Sequence, residues 1–334
     1  MTDKILLAHG SGSKLSHDLL EKVLCPPINN PILSRMDDSA VFQLSGRVAF
    51  TTDSYVVNPI FFPGGDIGRL AVCGTVNDLS MSGAVPMYLS LSLIIEEGLE
   101  MEALKKIIIS IKETADEAHV QIVTGDTKVV NHGKADKLFI NTAGIGVIRE
   151  DLNISGSNAR AGDKIILSGG IGEHGIAVMS QREGLKFSVP VSSDCAPLNT
   201  LVVEMISASR DIHCMRDPTR GGLAATLNEF ARQSNVGINI IENSLPVHDG
   251  IRGACELLGL DPLYIANEGK LVAVVAPGDA QKVLAAMKNN RYAKQAAVIG
   301  EVTDEHRGRV VMKTRIGSSR IVDMPTGEIL PRIC

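Results

Sequence analysis

Residues 101–128 read MEALKKIIISIKETADEAHVQIVTGDTK. Between Met101 and His119 the apolar side chains recur at helical spacing, which predicts a long amphipathic helix. The next residues, 120–123, are strand-like and lead directly into the polar segment 124–128. A helix that runs into a strand in this way predicts a body in which helices cross a β-sheet, an α/β or α+β fold.

The same combination of elements occurs on both sides of this stretch. Strand-like runs are 48–50, 138–147, 165–167, 238–241, 271–276, 297–302 and 310–313. Three helix-like runs are 15–24, 198–209 and 249–258. Two further helices are predicted, one that begins at the capping residue Asp66 and one that ends near Gln233. The polar, glycine-containing segment 155–163 is typical of a domain boundary. We therefore expect an N-terminal domain at 1–154, a C-terminal domain at 155–324 and a mobile tail at 325–334.

The composition excludes several classes of protein. The chain has 334 residues, 44% hydrophobic and 21% charged, which predicts a packed globular fold. A net charge of −5 without a basic block argues against a nucleic-acid partner. The 6 cysteines form no CxxC pair and fit reduced thiols better than a disulfide framework. Neither a signal peptide nor an apolar run of membrane-spanning length is evident, so we expect a cytoplasmic protein that binds no membrane.

Acidic residues recur beside the apolar runs of the first half. They are Asp37, Asp38, Asp53, Asp78 and Asp126. Carboxylates on loops at strand ends, together with substrate phosphates, are the ligands that Mg²⁺ requires. The alternative is a set of unrelated turn acids, which are frequent in loops.

Two glycine-containing segments precede helices. In the first, Gly10-Ser11-Gly12 can let backbone N–H groups reach a phosphate, although a flexible N-terminus is the alternative. In the second, Thr219 is a good capping residue, and Arg220 followed by two glycines makes an anion pocket plausible.

The chain ends in a cysteine, Cys334. Chain ends fray unless they are tied down, and an exposed thiol is a liability without a use. The tail from Pro325 spans about 30 Å when extended, so one thiol can visit two places. A terminal cysteine that is there by chance is the alternative. A second residue of interest, Glu268, stands beside Gly269 at the entrance of a strand, as either a turn acid or a general base.

Taken in order along the chain, five motifs resemble the aminoimidazole ribonucleotide synthetase, or PurM-like, superfamily. They are Asp37-Asp38-Ser39-Ala40, Thr52-Asp53-Ser54, Asn77-Asp78-Leu79, Gly125-Asp126-Thr127-Lys128 and Asp217-Pro218-Thr219-Arg220-Gly221-Gly222-Leu223. With the terminal Pro331-Arg332-Ile333-Cys334, the resemblance is closest to the family of hydrogenase maturation carbamoyl dehydratases, HypE, and it covers essentially the whole chain.

The resemblance implies a fold, a reaction and partners. The fold is a two-domain PurM-like α/β (α+β) arrangement, in which the N-terminal domain binds ATP and forms a homodimer. A carbamoyltransferase, HypF, loads a carbamoyl group on Cys334, and ATP with Mg²⁺ drives its dehydration to a thiocyanate. The cyano group then passes to iron on a HypC–HypD scaffold.

The resemblance also implies residue roles. The catalytic residues are Cys334, Glu268 as first choice of base, His132 as second choice, and Lys128 beside the transferred phosphoryl group. The nucleotide-binding residues are Gly10, Ser11, Gly12, Asp53, Asn77, Asp78, Asp126, Thr127 and Arg220. The metal ligands are Asp37, Asp38, Asp53, Asp78 and Asp126. For Lys128 a solvated loop lysine is the alternative, and an exposed loop histidine such as His132 is commonly inert.

Two other functions compete with this one. A small-molecule kinase or selenophosphate-type synthetase of the same superfamily would need no terminal cysteine, and no reactive residue for selenium chemistry stands among residues 1–14. A nucleotide-gated carrier would hold the carbamoyl group without transforming it. Coupling of ATP hydrolysis to a mass change on the tail separates the carrier from the enzyme.

Overall fold

The computed structural model describes residues 3–12, 14–37, 39–185, 187, 190–327, 330 and 332–334. The α-helices are α1 (Lys14–Leu19), α2 (Cys25–Ile28), α3 (Ile67–Met81), α4 (Met101–Glu117), α5 (Glu173–Glu183), α6 (Asn199–Ala208), α7 (Gly222–Gln233), α8 (Asp249–Leu258) and α9 (Ala280–Asn289). The strands are β1 (Arg47–Tyr55), β2 (Phe61–Phe62), β3 (Gly65–Asp66), β4 (Ala84–Glu96), β5 (Gln121–Val130), β6 (Leu138–Ile148), β7 (Lys164–Leu167), β8 (Ile212–Arg216), β9 (Gly237–Ile241), β10 (Val272–Val275), β11 (Ala297–Thr303), β12 (Val310–Lys313) and β13 (Ser319–Val322). No helix in the described part of the chain is both long enough and apolar enough to cross a bilayer.

The first half of the chain forms a four-stranded sheet in the order β1-β6-β4-β5. Helix α3 packs on β1, β4 and β6, and α4 packs against α3. Helix α3 begins where the Asp66 carboxylate accepts hydrogen bonds from the amides of Gly68 and Arg69, so Asp66 is the predicted cap. A side chain at Gly68 would lie 2.8 Å from the Ile107 carbonyl oxygen, so glycine is needed for the close approach of the two helices.

The second half forms a seven-stranded sheet in the order β13-β12-β9-β11-β7-β10-β8. Its pairings are antiparallel except between β12 and β9. One face packs against α7, with Phe230 at the centre of the buried cluster, and the other face packs against α6 and α9. Two sheets of mixed topology, each with helices packed on it, confirm the predicted α/β (α+β) fold class.

Most of the predicted elements are present, and some differ in extent. The helix predicted over 15–24 is α1 followed by a single π-helical turn, Leu20–Leu24. The strand that was predicted to stop at Val123 continues to Val130. Asp53 and Asp126 therefore lie within β1 and β5 rather than on loops after them. The sequence analysis did not predict β4, β8, β13, α5 or α9.

The predicted cap of α7 is wrong. Gly221 is the N-cap, with φ +80°, and no side chain caps the helix. Thr219 instead accepts a backbone hydrogen bond from Gly222 through its carbonyl oxygen, 2.8 Å away, in the turn before the helix. Glycine is required at Gly221 because its left-handed conformation is disfavoured for other residues.

Candidate active site

The C-terminal tail is docked in the body of the protein. Ile333 is only 3% exposed and belongs to the buried cluster of the N-terminal sheet and its helices, with Leu330 and Cys334 packed against that cluster. The Arg332 carbonyl oxygen accepts hydrogen bonds from the Asn58 amide at 3.3 Å and from the Arg182 guanidinium at 2.6 Å. The last residues of the chain are therefore fixed by apolar packing and by backbone hydrogen bonds together.

The Arg332 side chain secures the tail to the N-terminal half. It donates to the Val56 carbonyl oxygen at 2.9 and 3.2 Å and forms an ion pair with Asp136. Its guanidinium also lies 5.8 Å from the centre of the Phe139 ring. The backbone of Arg332 has φ +54°, a conformation that is unusual for a residue other than glycine.

The tail ends at a cavity of about 330 Å³ that is formed by the tail itself and by the second half of the chain, with Val56 from the first half. Its lining includes Cys334, Arg220, Tyr264 and Ala266. The Cys334 thiol is within hydrogen-bonding reach of the Glu268 carboxyl group. Burial raises the pKa of the Cys334 thiol, and the nearby Glu268 charge raises it further. The docked thiol is therefore protonated at neutral pH.

Glu268 is a deeply buried carboxyl group. Burial raises its pKa well above the usual value, and the neighbouring Cys195 and Asp217 add to the shift. Its Oε1 atom has no hydrogen-bond partner in the described residues. An unpaired buried carboxyl oxygen beside a thiol is unusual in a structural role and typical of a group kept ready for proton transfer.

Asp194 holds the segment that carries Glu268. Its carboxylate accepts hydrogen bonds from the amides of Glu268 at 3.1 Å and Gly269 at 3.2 Å, and from the Lys270 ammonium at 3.1 Å. Burial opposes the charge of Asp194, but Lys270, His174 and the hydrogen bond from the Glu268 amide together outweigh burial and lower the pKa of the carboxyl group. A side chain at Gly269 would lie 1.8 Å from the Asp194 carbonyl oxygen, so the glycine allows the segment to wrap around Asp194.

Asn77, a predicted nucleotide-binding residue, is buried, and its side-chain amide is occupied by protein atoms. The amide nitrogen donates to the carbonyl oxygens of Ala196 at 3.1 Å and Glu268 at 3.4 Å. Its amide oxygen accepts from the Leu198 amide at 2.8 Å. In this structure Asn77 ties α3 to the segment that carries the candidate base, and its role toward a nucleotide stays a prediction.

Three carboxylates from separate elements meet near this cavity. Asp53 comes from β1, Asp78 from α3, and Asp217 from the turn before α7. Burial raises the pKa of Asp217 to about 7, and Asp78 and Asp53 add to the shift. Loss of solvation also raises the pKa of Asp78, although Thr51 donates a hydrogen bond to it at 3.0 Å. The sequence analysis missed Asp217 as an individual residue, although it belongs to a motif that was singled out.

A divalent cation fits this arrangement of charge. Mutual repulsion of carboxylates is relieved when a cation lies between them. Among the described residues, however, no three His, Cys, Asp or Glu side chains are close enough together to hold a metal ion alone. This geometry suits Mg²⁺, which usually takes one or two carboxylates and completes its shell with water and phosphate oxygens.

The predicted residues Asp37, Asp126 and Thr127 line a different cavity. It measures about 140 Å³ and lies between the helical residues 20–28 and strands β4 and β5, with largely aliphatic walls. Asp126 forms a hydrogen bond with Lys128 at 2.8 Å, which lowers the pKa of the carboxyl group. An aliphatic slot with a carboxylate at its edge has the character of a site for a flat, polar-edged ring. Asp38 lies outside the described residues.

The N-terminal segment Gly10–Gly12 packs against strand β5, which also carries Asp126. Gly10 packs against Val129 so closely that a side chain would lie 2.5 Å from the Val129 backbone nitrogen. The Ser11 hydroxyl donates to the Ala8 carbonyl oxygen at 3.0 Å. The structure therefore brings this segment beside the strand that carries Asp126 and Lys128, as a phosphate-covering loop would require.

Lys128 and His132 do not line the cavity of the tail thiol. Lys128 is exposed and pairs with Asp126. His132 is 85% exposed and lies 3.4 Å from the Glu96 carboxylate. Of the two predicted bases, only Glu268 is next to Cys334.

Arg220 lies at the junction of two cavities. It lines the cavity of the thiol, and it also lines a second cavity of about 250 Å³ that contains Asp78 and Asp217. Its neighbour Arg216 is neutralised by an ion pair with Glu229. For Arg220 the described residues provide no ion pair, so its charge is available to an anion in either cavity.

Comparison with known proteins agrees with the fold and with these motifs. The family of AIR synthase related proteins matches residues 36–148 with its N-terminal domain and residues 160–313 with its C-terminal domain. The carbamoyl dehydratase HypE of Bradyrhizobium diazoefficiens is 53% identical over 330 residues, 98% of this chain and 95% of that protein. A crystal structure of hydrogenase maturation protein HypE in complex with ATP superimposes with a TM-score of 0.96 at 49% identity, over 98% of this chain and 99% of that one. The HypE–HypF complex gives a TM-score of 0.82 at 49% identity, over 94% of this chain and 100% of that one.

These matches define the chain as an AIR synthase related protein with the PurM-like fold. More particularly, it belongs to the carbamoyl dehydratase HypE family of hydrogenase maturation enzymes. The resemblance drawn from the motif order and the terminal cysteine is confirmed.

We predict that Asp194→Ala lowers the free energy of unfolding by roughly 3 kcal/mol or more, because it leaves Lys270 and two amides without their buried acceptor. Urea unfolding followed by circular dichroism measures the effect. Asp151→Ala is the matched control, since Asp151 forms only exposed ion pairs and should change stability by less than about 1 kcal/mol. Equal losses in both variants would contradict the anchoring role of Asp194.

Proposed function

We propose that this chain dehydrates a carbamoyl group carried on its own C-terminal Cys334, converting the thiocarbamate to a thiocyanate at the expense of ATP. This would supply the cyanide ligand of the iron in [NiFe]-hydrogenase. The observation that carries the proposal is the docked tail, in which the Cys334 thiol is within reach of the Glu268 carboxyl group, whose Oε1 atom has no hydrogen-bond partner in the described residues. Neither a kinase nor a simple carrier needs a base beside the terminal sulfur.

The chemistry consists of a phosphoryl transfer followed by an elimination. The carbonyl oxygen of the thiocarbamate attacks the γ-phosphorus of ATP, ADP leaves, and a proton is lost from nitrogen, which gives an O-phosphorylated imidate. Loss of the remaining N–H proton forms the carbon–nitrogen triple bond as the C–O bond breaks and phosphate departs. The oxygen of the carbamoyl group leaves in phosphate, so the tail loses the elements of one water.

Glu268 is our candidate for the base of the elimination. A base must lie within hydrogen-bond distance of the proton it removes, or one water away. Burial raises the pKa of Glu268, which makes its carboxylate a stronger base than a solvated one. The free Oε1 atom is available to the N–H proton without breaking an existing hydrogen bond. His132, the second choice, is exposed and lies beside Glu96.

The nucleotide would be held by the N-terminal half. The aliphatic cavity beside β5 suits the adenine ring, with Asp126 and Thr127 at its edge and Gly10–Gly12 near the phosphates. Mg²⁺ would be held by Asp53 and Asp78, with Asp126 and Asp37 as the other candidates, and would neutralise the charge that develops on the transferred phosphoryl group. Arg220 and Lys128 are placed to contribute positive charge from the thiol cavity and from β5. The similar HypE crystallised with ATP supports the choice of nucleotide.

Loading and dehydration would use two positions of the tail. The docked thiol has a raised pKa and is partly buried, which makes it a poor nucleophile toward a carbamoyl donor. Carbamoylation therefore requires the tail to leave the cavity, and dehydration requires it to return. The similar HypE–HypF complex supports a HypF-type carbamoyltransferase as the donor. For the acceptor of the cyano group we propose a HypC–HypD scaffold, on the family resemblance alone.

We propose that the chain forms a homodimer through the open face of the N-terminal sheet. This face exposes Phe50, which is 68% accessible, together with Val48 and Val85. Phe50 pairs across β6 with Ile145, which in turn pairs with Tyr88 of β4, so the apolar side chains form one patch. Apolar patches of this kind on an otherwise polar surface mark sites of association, and a second copy presents a matching face.

We propose two domains and a tail for this chain, and the cytoplasm as its compartment. The N-terminal domain at 1–154 contains the four-stranded sheet, the C-terminal domain at 155–324 contains the seven-stranded sheet, and the tail at 325–334 carries the thiol. All six cysteines are free thiols, which supports the reducing cytoplasm as the working compartment.

We predict that Phe50→Glu converts the dimer to a monomer, because it places a charge at the centre of the proposed interface. Sedimentation velocity measures the change in mass. The control is Ile316→Glu, since Ile316 is also a large, exposed apolar residue but lies in the loop before β13. A parent chain that sediments as a monomer would refute the interface.

We predict that Asp78→Asn and Asp126→Asn each weaken Mg²⁺-dependent ATP binding, by roughly tenfold or more, because each change removes a charge that faces the cation. Calorimetry with and without magnesium separates this effect from general damage. Asp18→Asn is the control, since Asp18 pairs with Lys22 on the surface of α1. If all three variants bind Mg·ATP like the parent, Asp78 and Asp126 do not hold the cation.

The decisive experiment follows the mass of the carbamoylated chain after addition of ATP. The parent should lose the mass of one water, whereas Cys334→Ala should accept no carbamoyl group. Glu268→Gln should bind ATP and accept the carbamoyl group but dehydrate it roughly 10²–10⁴ times more slowly, the usual contribution of a positioned base. His132→Gln should react at the parent rate. Normal dehydration by Glu268→Gln would exclude Glu268 as the base, and unchanged mass of the parent would leave only a carrier.

A further inference from the structure

His174 forms a hydrogen bond with the backbone of Ile333, the residue directly before Cys334. It lies in the first turn of α5 and is 0% exposed. Its Nε2 atom is 2.9 Å from the Ile333 carbonyl oxygen, and its Nδ1 atom is 2.8 Å from the Ser193 hydroxyl oxygen. Both nitrogens of a fully buried ring are thus committed to specific partners.

The partners determine which nitrogen carries the proton. A carbonyl oxygen only accepts hydrogen bonds, so Nε2 must be the donor to Ile333. With the ring neutral, Nδ1 is then an acceptor, and the Ser193 hydroxyl donates to it. The Ser193 oxygen in turn accepts from the Cys195 amide at 3.1 Å. Burial lowers the pKa of His174, which keeps the ring neutral and this tautomer in place.

The ring is rigidly placed relative to Glu268. The edge of the imidazole meets Phe62 at 90°, with ring centres 5.4 Å apart. The start of α5 is tied to the segment that leads into Glu268, because the Gly172 amide donates to the Asn267 side chain at 2.7 Å and the Gly175 amide donates to the Ala266 carbonyl oxygen at 3.1 Å. His174, in the first turn of α5, can therefore fix the distance between the end of the tail and Glu268.

We propose that His174 is a positioning residue, which holds the peptide group between Ile333 and Cys334 and thereby fixes the thiol against Glu268, with Ser193 selecting the required tautomer. A peptide group is planar, so fixing the Ile333 carbonyl also fixes the amide nitrogen of Cys334 and the direction in which its side chain leaves. The catalytic consequence rests on the proposed dehydration, whereas the docking of the tail can be measured without it.

Three variants separate the hydrogen bond from the packing. His174→Leu keeps an apolar side chain of similar size and loses the donor. His174→Gln carries an amide nitrogen that can donate from near the position of Nε2. Ser193→Ala leaves the ring in place but removes the donor to Nδ1. The matched control is Ser180→Ala, a buried serine of the same helix that only donates to the Ala177 carbonyl oxygen.

The first measurement is the rate at which iodoacetamide alkylates Cys334, read by mass on the C-terminal peptide so that the half-buried Cys25 does not interfere. His174→Leu should react faster than the parent by roughly 3–10-fold, the effect of one buried hydrogen bond on the docked population. The alkylation rate of Ser193→Ala should lie between those of the parent and His174→Leu. The rates of His174→Gln and Ser180→Ala should stay near that of the parent. Parent-like protection in His174→Leu would overturn the proposal, as would a His174→Gln variant as reactive as His174→Leu.

The second measurement is a single turnover of dehydration, started from the carbamoylated chain. His174→Leu should bind ATP and accept the carbamoyl group like the parent but dehydrate more slowly, with His174→Gln restoring most of the rate. A His174→Leu variant that dehydrates at the parent rate would overturn the positioning role. If the parent itself does not dehydrate, the proposed function fails, and the alkylation rates still decide whether His174 holds the tail. If His174→Leu does not fold, Ser193→Ala and His174→Gln decide both measurements.

Discussion

The candidate active site depends on the docking of the chain end, Ile333 and Cys334, into a core that belongs to distant parts of the sequence. Ordering one residue costs about 1–2 kcal/mol of backbone entropy. Burial of a side chain such as Ile333 returns about 1.5–3 kcal/mol, and each intramolecular hydrogen bond returns about 0.5–1.5 kcal/mol. The left-handed backbone of Arg332 works against docking. Gains and costs of similar size are what a tail needs if, as proposed, it both enters and leaves its cavity.

The candidate base is subject to the opposite constraint, because a carboxyl group without a partner cannot be buried cheaply and must be held by its surroundings. Asp194 and Lys270 hold the backbone on both sides of Glu268 without touching its Oε1 atom. The charges that stabilise the segment are thus kept separate from the group that is proposed to react. The two anchors also differ in burial, since the Lys270–Asp194 ion pair that holds the base is deeply buried, while the Arg332–Asp136 ion pair that holds the tail is partly exposed.

The sequence predicted local structure well and the assembly of the site only in part. The helix at Met101–Glu117 follows from its own periodicity, and the family follows from motif order. That Asp53, Asp78 and Asp217 meet could not be predicted, because it depends on how β1, α3 and the turn before α7 converge. The direction of side chains could not be predicted either, since Asn77 points into the interior while its neighbour Asp78 lines the cavity of about 250 Å³. His174 gave no signal at all, because a single histidine after a glycine-rich loop fits no motif.

The segment 193–195 links the two reacting partners. Ser193 reaches the tail through His174, and the next residue, Asp194, holds the amide of Glu268. Consecutive residues thus set the position of the thiol and of the carboxyl group, and the Ser193 amide is itself fixed by the Pro63 carbonyl oxygen of the N-terminal half at 2.8 Å. The nucleotide would be held by that half. A rigid connection through Pro63 would then keep the bound ATP, the docked thiocarbamate and Glu268 at fixed relative positions, while the tail alone moves. A tail that moves as proposed would therefore deliver its thiol repeatedly to one geometry, because the residues that fix this geometry belong to the body that receives it.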